Sequence, residues 1–368
     1  VDYIKPTVDF HPTLGFDFDE TFDLVADEVK NLSQNVGLCE VNGFNRFEIT
    51  GADRNAFLDR MFCGPVTKRV GRVGLGYLLN HHGMIKSEAT VANLPASDRG
   101  PARVWYGSAA ASEFHDMDWL QSHLDPSQDV QIRSLTNEQT ILVLAGPRAR
   151  DVLSACARGD WSKDAFPWLS VRECFIGIAP ATVMGVSFSG ELAYEVHLPN
   201  ASLYAAYLAL TKAGKAHGMK LFGARAVDSM RMEKGFLHWK SDLLTEFDPF
   251  ETGLERFVKL DKPDFIGKAA LQQRHADGPC RKLATLEISS RAAPAHGGAS
   301  LMQGDRVIGT VTSGEWGHRV GKNLAYAFVA PEHAEIGHKA ELDLCGARVS
   351  TTVIAFSPYD RGHFRMRS

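Results

Sequence analysis

The sequence predicts an α+β chain that ends in a small antiparallel β-barrel. Of the 368 residues, 44% are hydrophobic and 23% are charged, which is the composition of a globular protein with a sizeable core. Helical periodicity alternates with hairpin patterns over residues 1–273, and this alternation is typical of an α+β fold. From residue 274 onward, short strand patterns separated by glycine turns favour a closed barrel.

The N-terminal region begins with an expected extended arm over residues 1–18, which contain two prolines and show no clear period. Apolar residues at helical spacing then predict a helix over residues 19–34. Residues 38–50 alternate loosely between apolar and polar side chains and predict one strand that ends at a glycine. Residues 54–62 are predicted to form a short helix.

A β-hairpin is predicted where apolar runs at residues 73–79 and 85–94 flank a turn that contains Gly83. The turn also carries His81 and His82. Adjacent imidazoles point to opposite sides of a strand or turn, so without other ligands they make a poor metal pair. The two histidines are therefore interpreted as solvent-facing turn residues.

The central region continues the alternation of helices and strands. A strand is predicted near residues 140–144 and a helix from Pro147, followed by a strand pair around Ser189-Gly190 and a helix over residues 201–217. Helices mixed with hairpins favour an α+β fold over a doubly wound parallel sheet.

The composition changes after residue 273, and residues 275–279 are predicted to form a linker. The chain is thus predicted to divide into a larger domain, residues 1–273, and a barrel domain, residues 274–368. Hairpin turns are expected at Gly304 and Gly346. Strands are predicted at residues 283–288, 306–312, 323–329 and 339–356.

Charge and cysteine usage exclude several classes of protein. The formal net charge is −4 and the pI about 6.4, which gives no broad attraction to nucleic acid. No apolar run approaches the ~18 residues that span a bilayer, so no membrane partner is expected.

Six scattered cysteines without a CxxC pair argue against zinc or disulfides. A cytoplasmic setting is expected, with the mitochondrial matrix open. The chain lacks an initial Met, which leaves processing, trimming or excision from a longer polypeptide open.

Four segments carry distinctive placements of charge. One is a hairpin with Glu88 inside its returning strand. A second places Glu191 directly after a Ser-Gly turn, and a third is a helix with Arg225 in its first turn. The fourth combines Asp-Pro-Phe-Glu-Thr-Gly-Leu with a later Phe-Ile-Gly-Lys. These segments are residues 78–91, 185–196, 222–235, and 248–254 with 265–268.

In this order and spacing, the segments resemble the aminomethyltransferase family, the T-protein of the glycine cleavage system. The closer resemblance is to the folate-binding C-terminal half of dimethylglycine and sarcosine dehydrogenases, through residues 233–239, 248–251 and the ending 357–367. The match covers residues 37–367. It implies two interleaved α/β lobes, a C-terminal antiparallel β-barrel and tetrahydrofolate in the central opening.

The resemblance also implies roles at matching positions. Glu88 takes the position of the family's catalytic aspartate, near the folate nitrogens that receive the carbon. Glu191 matches the pterin-binding glutamate, and a carboxylate can accept paired N–H bonds from the 2-amino-pyrimidinone edge. Arg225 matches an arginine that faces the anionic end of folate. The other predicted cofactor-binding residues are Phe188, Tyr194 and Trp239, and no metal is predicted.

Simpler roles stay open for the binding residues. Glu191 can be a turn carboxylate in water. Arg225 can pair with Asp228 one helical turn away, a contact worth only a few tenths of a kcal/mol. Arg231 is interpreted as a structural residue that pairs with Asp228 or Glu233.

The sequence departs from the family pattern at three places. Glu88 stands where aspartate is usual, and an error of ~1 Å in position can cost ~10²-fold in rate. Phe188 replaces a frequent tyrosine, and the run that begins at Cys63 replaces an Asn-Asp pair. Glu88 can also be no more than an exposed strand residue. These departures predict weaker catalysis with folate binding retained.

The function implied by the resemblance is tetrahydrofolate-dependent one-carbon transfer. Formaldehyde or an iminium carbon from N-methyl demethylation would be captured as 5,10-methylenetetrahydrofolate. An oxidising or demethylating partner domain or subunit would act on a small-molecule methyl donor and supply this carbon. Three alternatives stay open: direct methyl transfer as in dimethylsulfoniopropionate demethylase, the folate domain of a trimethylamine N-oxide demethylase, and a non-catalytic folate-binding module.

Overall fold

A computed structural model describes residues 15–18 and 21–368. Most of the predicted N-terminal arm lies outside these residues. The predicted helices near residues 19–34, 54–62 and 201–217 are confirmed with shorter bounds. The helices are α1 (Phe22–Gln34), α2 (Arg54–Met61), α3 (Glu113–Ser122), α4 (Ala149–Cys156), α5 (Leu203–Gly214), α6 (Ala224–Lys234) and α7 (Lys268–Asp277).

The first sheet has the strand order β11-β1-β7-β10-β9-β8. Its β11 and β1 run parallel, and the other neighbours are antiparallel. Helices α4 and α5 contribute to the hydrophobic core of this lobe, in which Leu144, Val152 and Leu210 are fully buried. The strands are β1 (Gly37–Glu40), β7 (Gln139–Ala145), β8 (Val171–Ile176), β9 (Ala179–Met184), β10 (Ala193–Pro199) and β11 (Lys220–Leu221).

The second sheet has the order β3-β4-β5-β2-β6, and all its neighbours are antiparallel. The chain leaves the first sheet after β1, builds the whole second sheet, and returns to the first at β7. The two lobes are therefore interleaved, as expected. The strands are β2 (Phe47–Thr50), β3 (Val73–Leu79), β4 (Ile85–Leu94), β5 (Arg103–Gly107) and β6 (Gln131–Ser134).

The prediction of one strand over residues 38–50 was wrong. These residues form two strands in different sheets, joined by a loop with a buried Asn45 and a buried Arg46. The Asn45 side chain donates to Ser108, and the Arg46 guanidinium donates to the carbonyl of Thr136. These bonds hold the loop to the second lobe and redirect the chain there, because buried polar groups need partners.

The predicted hairpin of β3 and β4 is confirmed, and both turn histidines are exposed. The pair predicted around Ser189-Gly190 exists as β9 and β10, which are joined by a connection over residues 185–192. Strands β5, β6, β8 and β11 lay outside the predicted strands.

The C-terminal region closes into a six-stranded antiparallel barrel of order β12-β15-β14-β13-β16-β17, as predicted. Strand β13 was not among the predicted strands. Residues 275–277, predicted as linker, form the last turn of α7 instead. The strands are β12 (Lys282–Ile288), β13 (Ser300–Gln303), β14 (Arg306–Gly317), β15 (Lys322–Val329), β16 (Lys339–Leu344) and β17 (Ala347–Ile354).

A hydrophobic cluster joins the second lobe, α6 and the barrel, and we call it the junction cluster. Its buried members include Tyr77 on β3, Met232 on α6, and Leu324 and Tyr326 on β15. The Tyr326 hydroxyl donates to the carbonyl of Met232 at 2.7 Å. The cluster therefore packs the second lobe, α6 and the barrel against one another. Within the described ranges, no helix is both long and apolar enough to cross a membrane.

Candidate functional site

Glu88 lies on β4 directly opposite Tyr77 on β3. Directly opposed residues share a face of the sheet, so Glu88 points to the same side as the junction cluster, to which Tyr77 belongs. The Tyr77 hydroxyl donates to Glu88 Oε2 at 2.5 Å. Burial raises the pKa of Glu88 to about 7, and the bond from Tyr77 opposes this shift. The carboxyl is therefore poised to exchange a proton near neutral pH.

The opposite face of β4 anchors the strand. Ser87, the neighbour of Glu88, donates its hydroxyl to Asp116 Oδ2 at 2.8 Å, and Asp116 also accepts a hydrogen bond from Ser108. Burial raises the pKa of the Asp116 carboxyl above its ordinary value. This buried network fixes the backbone of β4 and therefore the position of the Glu88 Cα atom.

One positively charged side chain, Arg256, stands near Tyr77. Arg256 acts electrostatically on the Tyr77 hydroxyl and also on His363. The pKa of His363 is lowered by burial and by the positive charges of Lys234, Arg367 and Arg256. The positive charge of Arg256 favours an anionic group near Tyr77.

Glu191 is fully buried, with 1% of its surface exposed. Its Oε1 accepts from Arg319 Nη1 at 2.8 Å and from the Tyr359 hydroxyl at 3.0 Å, while its Oε2 accepts from Arg365 Nε at 2.5 Å. Arg319 binds Glu233 as well and lies 3.9 Å from the centre of the Tyr359 ring. The alternative of a turn carboxylate in water was therefore wrong. Glu191 joins the first lobe to the barrel and to the C-terminal segment.

Phe188 and Trp239 occupy different environments. Phe188 is 38% exposed and stacks on Phe236, with ring centroids 6.0 Å apart and planes 15° apart. Trp239 is 9% exposed in the junction cluster, and its indole N–H donates to Ser112 at 2.8 Å. Phe188 and Phe236 thus present an aromatic surface that is partly open to solvent.

Tyr194 lies inside the hydrophobic core of the first lobe, with 1% of its surface exposed. Burial raises the pKa of its phenol to about 12. Within the described residues its hydroxyl has no hydrogen-bond partner. Its surroundings are those of a core side chain.

Arg225 is exposed in the first turn of α6, and its guanidinium donates to Thr21 at 2.7 Å. It also acts electrostatically on the half-buried Glu315 of β14. This places Arg225 beside the start of α1 and the barrel. Arg231, on the same helix, binds Asp228 at 3.2 Å and Asp242 at 2.6 Å, which confirms its structural role.

A surface cavity of about 450 cubic ångströms lies beside the turn between β3 and β4. His81, His123, Arg60 and the start of α7 line it, and it contains none of the predicted folate residues. Arg60 pairs there with Asp264. In the part of the chain that the structure describes, no group of three or more His, Cys, Asp or Glu side chains could hold a metal ion.

Sequence reasoning missed Tyr77, Arg319 and Tyr359 as functional candidates. Tyr77 carries a weak signal, because a polar aromatic residue near the turn of an apolar hairpin strand can face a residue on the returning strand. Arg319 and Tyr359 reach Glu191 across 128 and 168 residues of chain, so no local pattern could identify them.

Two family models together match most of the chain. The GCVT N-terminal domain matches residues 3–262, and the glycine cleavage T-protein C-terminal barrel domain matches residues 281–360. The crystal structure of glycine cleavage system aminomethyltransferase T from Bartonella henselae has the same fold. It superimposes with a TM-score of 0.81 at 22% identity and covers 92% of this chain and 90% of that one.

Two kinds of relative are similar to this chain in sequence: proteins more than twice its length and proteins of about its own length. Mitochondrial dimethylglycine dehydrogenase of Mus musculus is 33% identical over 96% of this chain but only 40% of its own length. The aminomethyltransferase of Geobacillus sp. is 29% identical over 98% of this chain and 96% of its own. The chain thus spans about two fifths of the dimethylglycine dehydrogenases that it matches. It belongs to the glycine cleavage T-protein family, the aminomethyltransferases of folate-dependent one-carbon transfer.

Proposed function

We propose that this chain binds tetrahydrofolate beside the junction cluster and loads onto it a one-carbon unit from N-methyl demethylation, giving 5,10-methylenetetrahydrofolate. The observation that carries the proposal is the environment of Glu88. This carboxyl faces the junction cluster, where the second lobe, α6 and the barrel meet, and burial raises its pKa to about 7. A group with such a pKa can both take and give a proton at neutral pH.

The proposed reaction balances without an oxidant. Formaldehyde and tetrahydrofolate form two C–N bonds and release one water. Each of the two reacting folate nitrogens loses one proton, and the departing oxygen gains both and leaves as water. Glu88 relays a proton from nitrogen to oxygen as each C–N bond forms, so that it ends in its starting state. Holding the reactants together next to this carboxyl would supply the rest of the acceleration.

Phe188 and Phe236 form a suitable surface for the flat rings of folate. They are stacked on each other, and Phe188 is open to solvent. Aromatic stacking adds about 0.5–1.5 kcal/mol beyond the area that it buries. Trp239 would support this site from the junction cluster. Tyr194 was predicted from the sequence to contact the cofactor. Because it lies in the core of the first lobe, we propose instead that it supports the wall of the pocket from behind.

Glu191 is the proposed pterin-binding residue, and its present partners limit how it can act. A carboxylate offers about four acceptor positions, and three are used by Arg319, Tyr359 and Arg365. One pterin N–H can therefore bind Oε2 beside Arg365. A paired contact to the pterin edge requires the Arg365 guanidinium to leave.

Arg225 is the proposed contact for the anionic end of folate. The guanidinium is exposed, which suits a carboxylate tail that extends toward solvent.

The one-carbon unit would come from a demethylating domain or subunit. The dimethylglycine dehydrogenases that match this chain are more than twice as long as the matched region. We propose that an additional domain or a partner protein acts on a small N-methyl compound and passes formaldehyde or an iminium carbon to this chain. The free cysteines favour a reducing setting, cytoplasmic or in the mitochondrial matrix.

Two measurements on the intact chain test the proposal. Calorimetric titration with tetrahydrofolate should show saturable binding. Stopped-flow measurement should show that the protein accelerates condensation of tetrahydrofolate with formaldehyde above the spontaneous rate. No binding would refute the whole proposal.

Binding without acceleration would favour the second candidate, a non-catalytic folate-binding module. The observation that favours this candidate is the engagement of Glu191 by three protein groups, which stabilises the fold whether or not folate is transformed. Exchange of Glu138, an exposed residue bonded to Arg133, for Gln provides a control variant for both measurements.

A further inference from the structure

Tyr77 is held rigidly behind Glu88. Its side chain is 2% exposed, and its ring meets Phe257 edge-on at 5.2 Å. The register of β3 and β4 places it directly across from Glu88, and its hydroxyl donates to Glu88 Oε2 at 2.5 Å. The donor therefore cannot move away from the carboxylate without disturbing the junction cluster.

The two oxygens of Glu88 are not equivalent. Oε2 is engaged by Tyr77, whereas Oε1 has no hydrogen-bond partner and is not sealed from solvent in the described part of the chain. Glutamate also has one more rotatable bond than the aspartate implied by the family resemblance, so an unrestrained carboxylate would sample more positions. A fixed donor on one oxygen removes part of that freedom.

We propose that Tyr77 is a positioning residue for Glu88: its hydroxyl anchors one carboxylate oxygen and presents the other to the proton that is exchanged with the folate nitrogen. This inference rests on the proposed function for its catalytic consequence. Its structural part, the control of Glu88 by Tyr77, can be tested without any substrate.

The neighbouring groups make Tyr77 a donor throughout the neutral range. Burial, followed by the charge of Glu88, raises the pKa of the Tyr77 phenol well above its ordinary value, and Arg256 opposes that shift. Burial also raises the pKa of the nearby Cys63 thiol to about 12, so this thiol is neutral. A hydrogen bond to the ionised carboxylate stabilises the charged form of Glu88. Loss of the hydroxyl should therefore raise the pKa of Glu88 further.

The direct test is an infrared titration of the Glu88 carboxyl in the folate-free protein. The spectrum of Glu88→Gln is subtracted to isolate the signal of this residue. Tyr77→Phe keeps the ring and removes only the hydroxyl, and its midpoint should lie above that of the natural protein. Tyr207→Phe removes a tyrosine hydroxyl from α5 and should leave the midpoint unchanged. Thermal melting confirms that each variant is folded.

A kinetic test measures how Tyr77 affects the rate of the condensation. At pH 7, Tyr77→Phe should slow the catalysed condensation several-fold, and the acid limb of its pH–rate profile should move to higher pH. In the Glu88→Gln background the same change should cause no further loss, because the two residues act as a unit.

The outcomes separate the two proposals. If Tyr77→Phe is folded and the Glu88 midpoint does not rise, the positioning role is refuted, whatever the catalytic rate. An equal loss of rate with and without Glu88 would also refute it. If the midpoint rises but the natural protein gives no acceleration over the spontaneous reaction, the proposed function fails while the control of Glu88 by Tyr77 stands.

Discussion

Glu88 is half-buried and Glu191 is fully buried, and their partners differ in one decisive respect. Among the described residues, the Glu88 carboxylate has one hydrogen-bond partner, the neutral Tyr77, and burial raises its pKa to about 7. Glu191 has two arginine partners and a tyrosine hydroxyl. The first environment favours proton exchange, and the second forms ion pairs that tie parts of the fold together. The residue type alone does not reveal which of these roles a glutamate has.

The largest expected effect is on stability, from Glu191→Gln. Among the described residues, the change leaves Glu233 as the one carboxylate partner of Arg319 and removes the carboxylate partner of Arg365. Breaking a buried ion pair by removing one partner costs about 3–5 kcal/mol, and the lower end is expected because Arg365 is 38% exposed. Urea unfolding should show a loss of about 3 kcal/mol in the free energy of unfolding. A change below about 1 kcal/mol, the level typical of exposed pairs, would contradict this account of Glu191.

The second comparison concerns the pH dependence of stability. The pKa of Glu88 is raised on folding from 4.5 to about 7, so the folded state retains a proton that the unfolded state loses. The natural protein should therefore lose stability, relative to Glu88→Gln, as the pH rises from about 4.5 to about 7. The difference should reach on the order of 2–3 kcal/mol. Urea unfolding of both proteins at several pH values measures it, and parallel stability curves would show that Glu88 titrates normally.

The smallest predicted effect is on folate affinity, from Phe188→Ala. Loss of one stacking surface should weaken tetrahydrofolate binding by about 1 kcal/mol, roughly fivefold in Kd. Phe188 is only partly buried, so the free energy of unfolding should hardly change. Phe114→Ala removes another exposed aromatic ring, on α3, and serves as the matched control. Equal affinities for the two variants would place the folate rings elsewhere.

Local patterns predicted much of the fold, because they report on local structure. The hairpin of β3 and β4 was predicted with its observed bounds, since apolar runs flank a glycine turn there. The register of β3 against β4 could not be predicted from the sequence. An irregularity between Leu78 and Leu79 shifts the pairing, and this shift places Tyr77 opposite Glu88. The division of residues 38–50 between two sheets also escaped prediction, since it depends on distant partners of Asn45 and Arg46.

The candidate site was less predictable than the fold. Family resemblance directed attention to Glu88 and Glu191, but the partners of Glu191 come from residues 319, 359 and 365, far along the chain. Only tertiary folding brings such groups together. For the same reason, a loss of folate affinity after replacing Glu191 requires a measurement of stability before it can be assigned to a lost pterin contact.

The comparison of the two glutamates is tested most directly by the condensation rate of Glu88→Gln. Tetrahydrofolate and formaldehyde are mixed at pH 7 with the natural protein, the variant, or no protein. The amide cannot exchange the proton, so the catalysed rate should fall about 10²-fold or more, while tetrahydrofolate affinity stays within a few-fold. A variant that accelerates the reaction as well as the natural protein does would contradict the assignment of Glu88 as the proton-exchanging group.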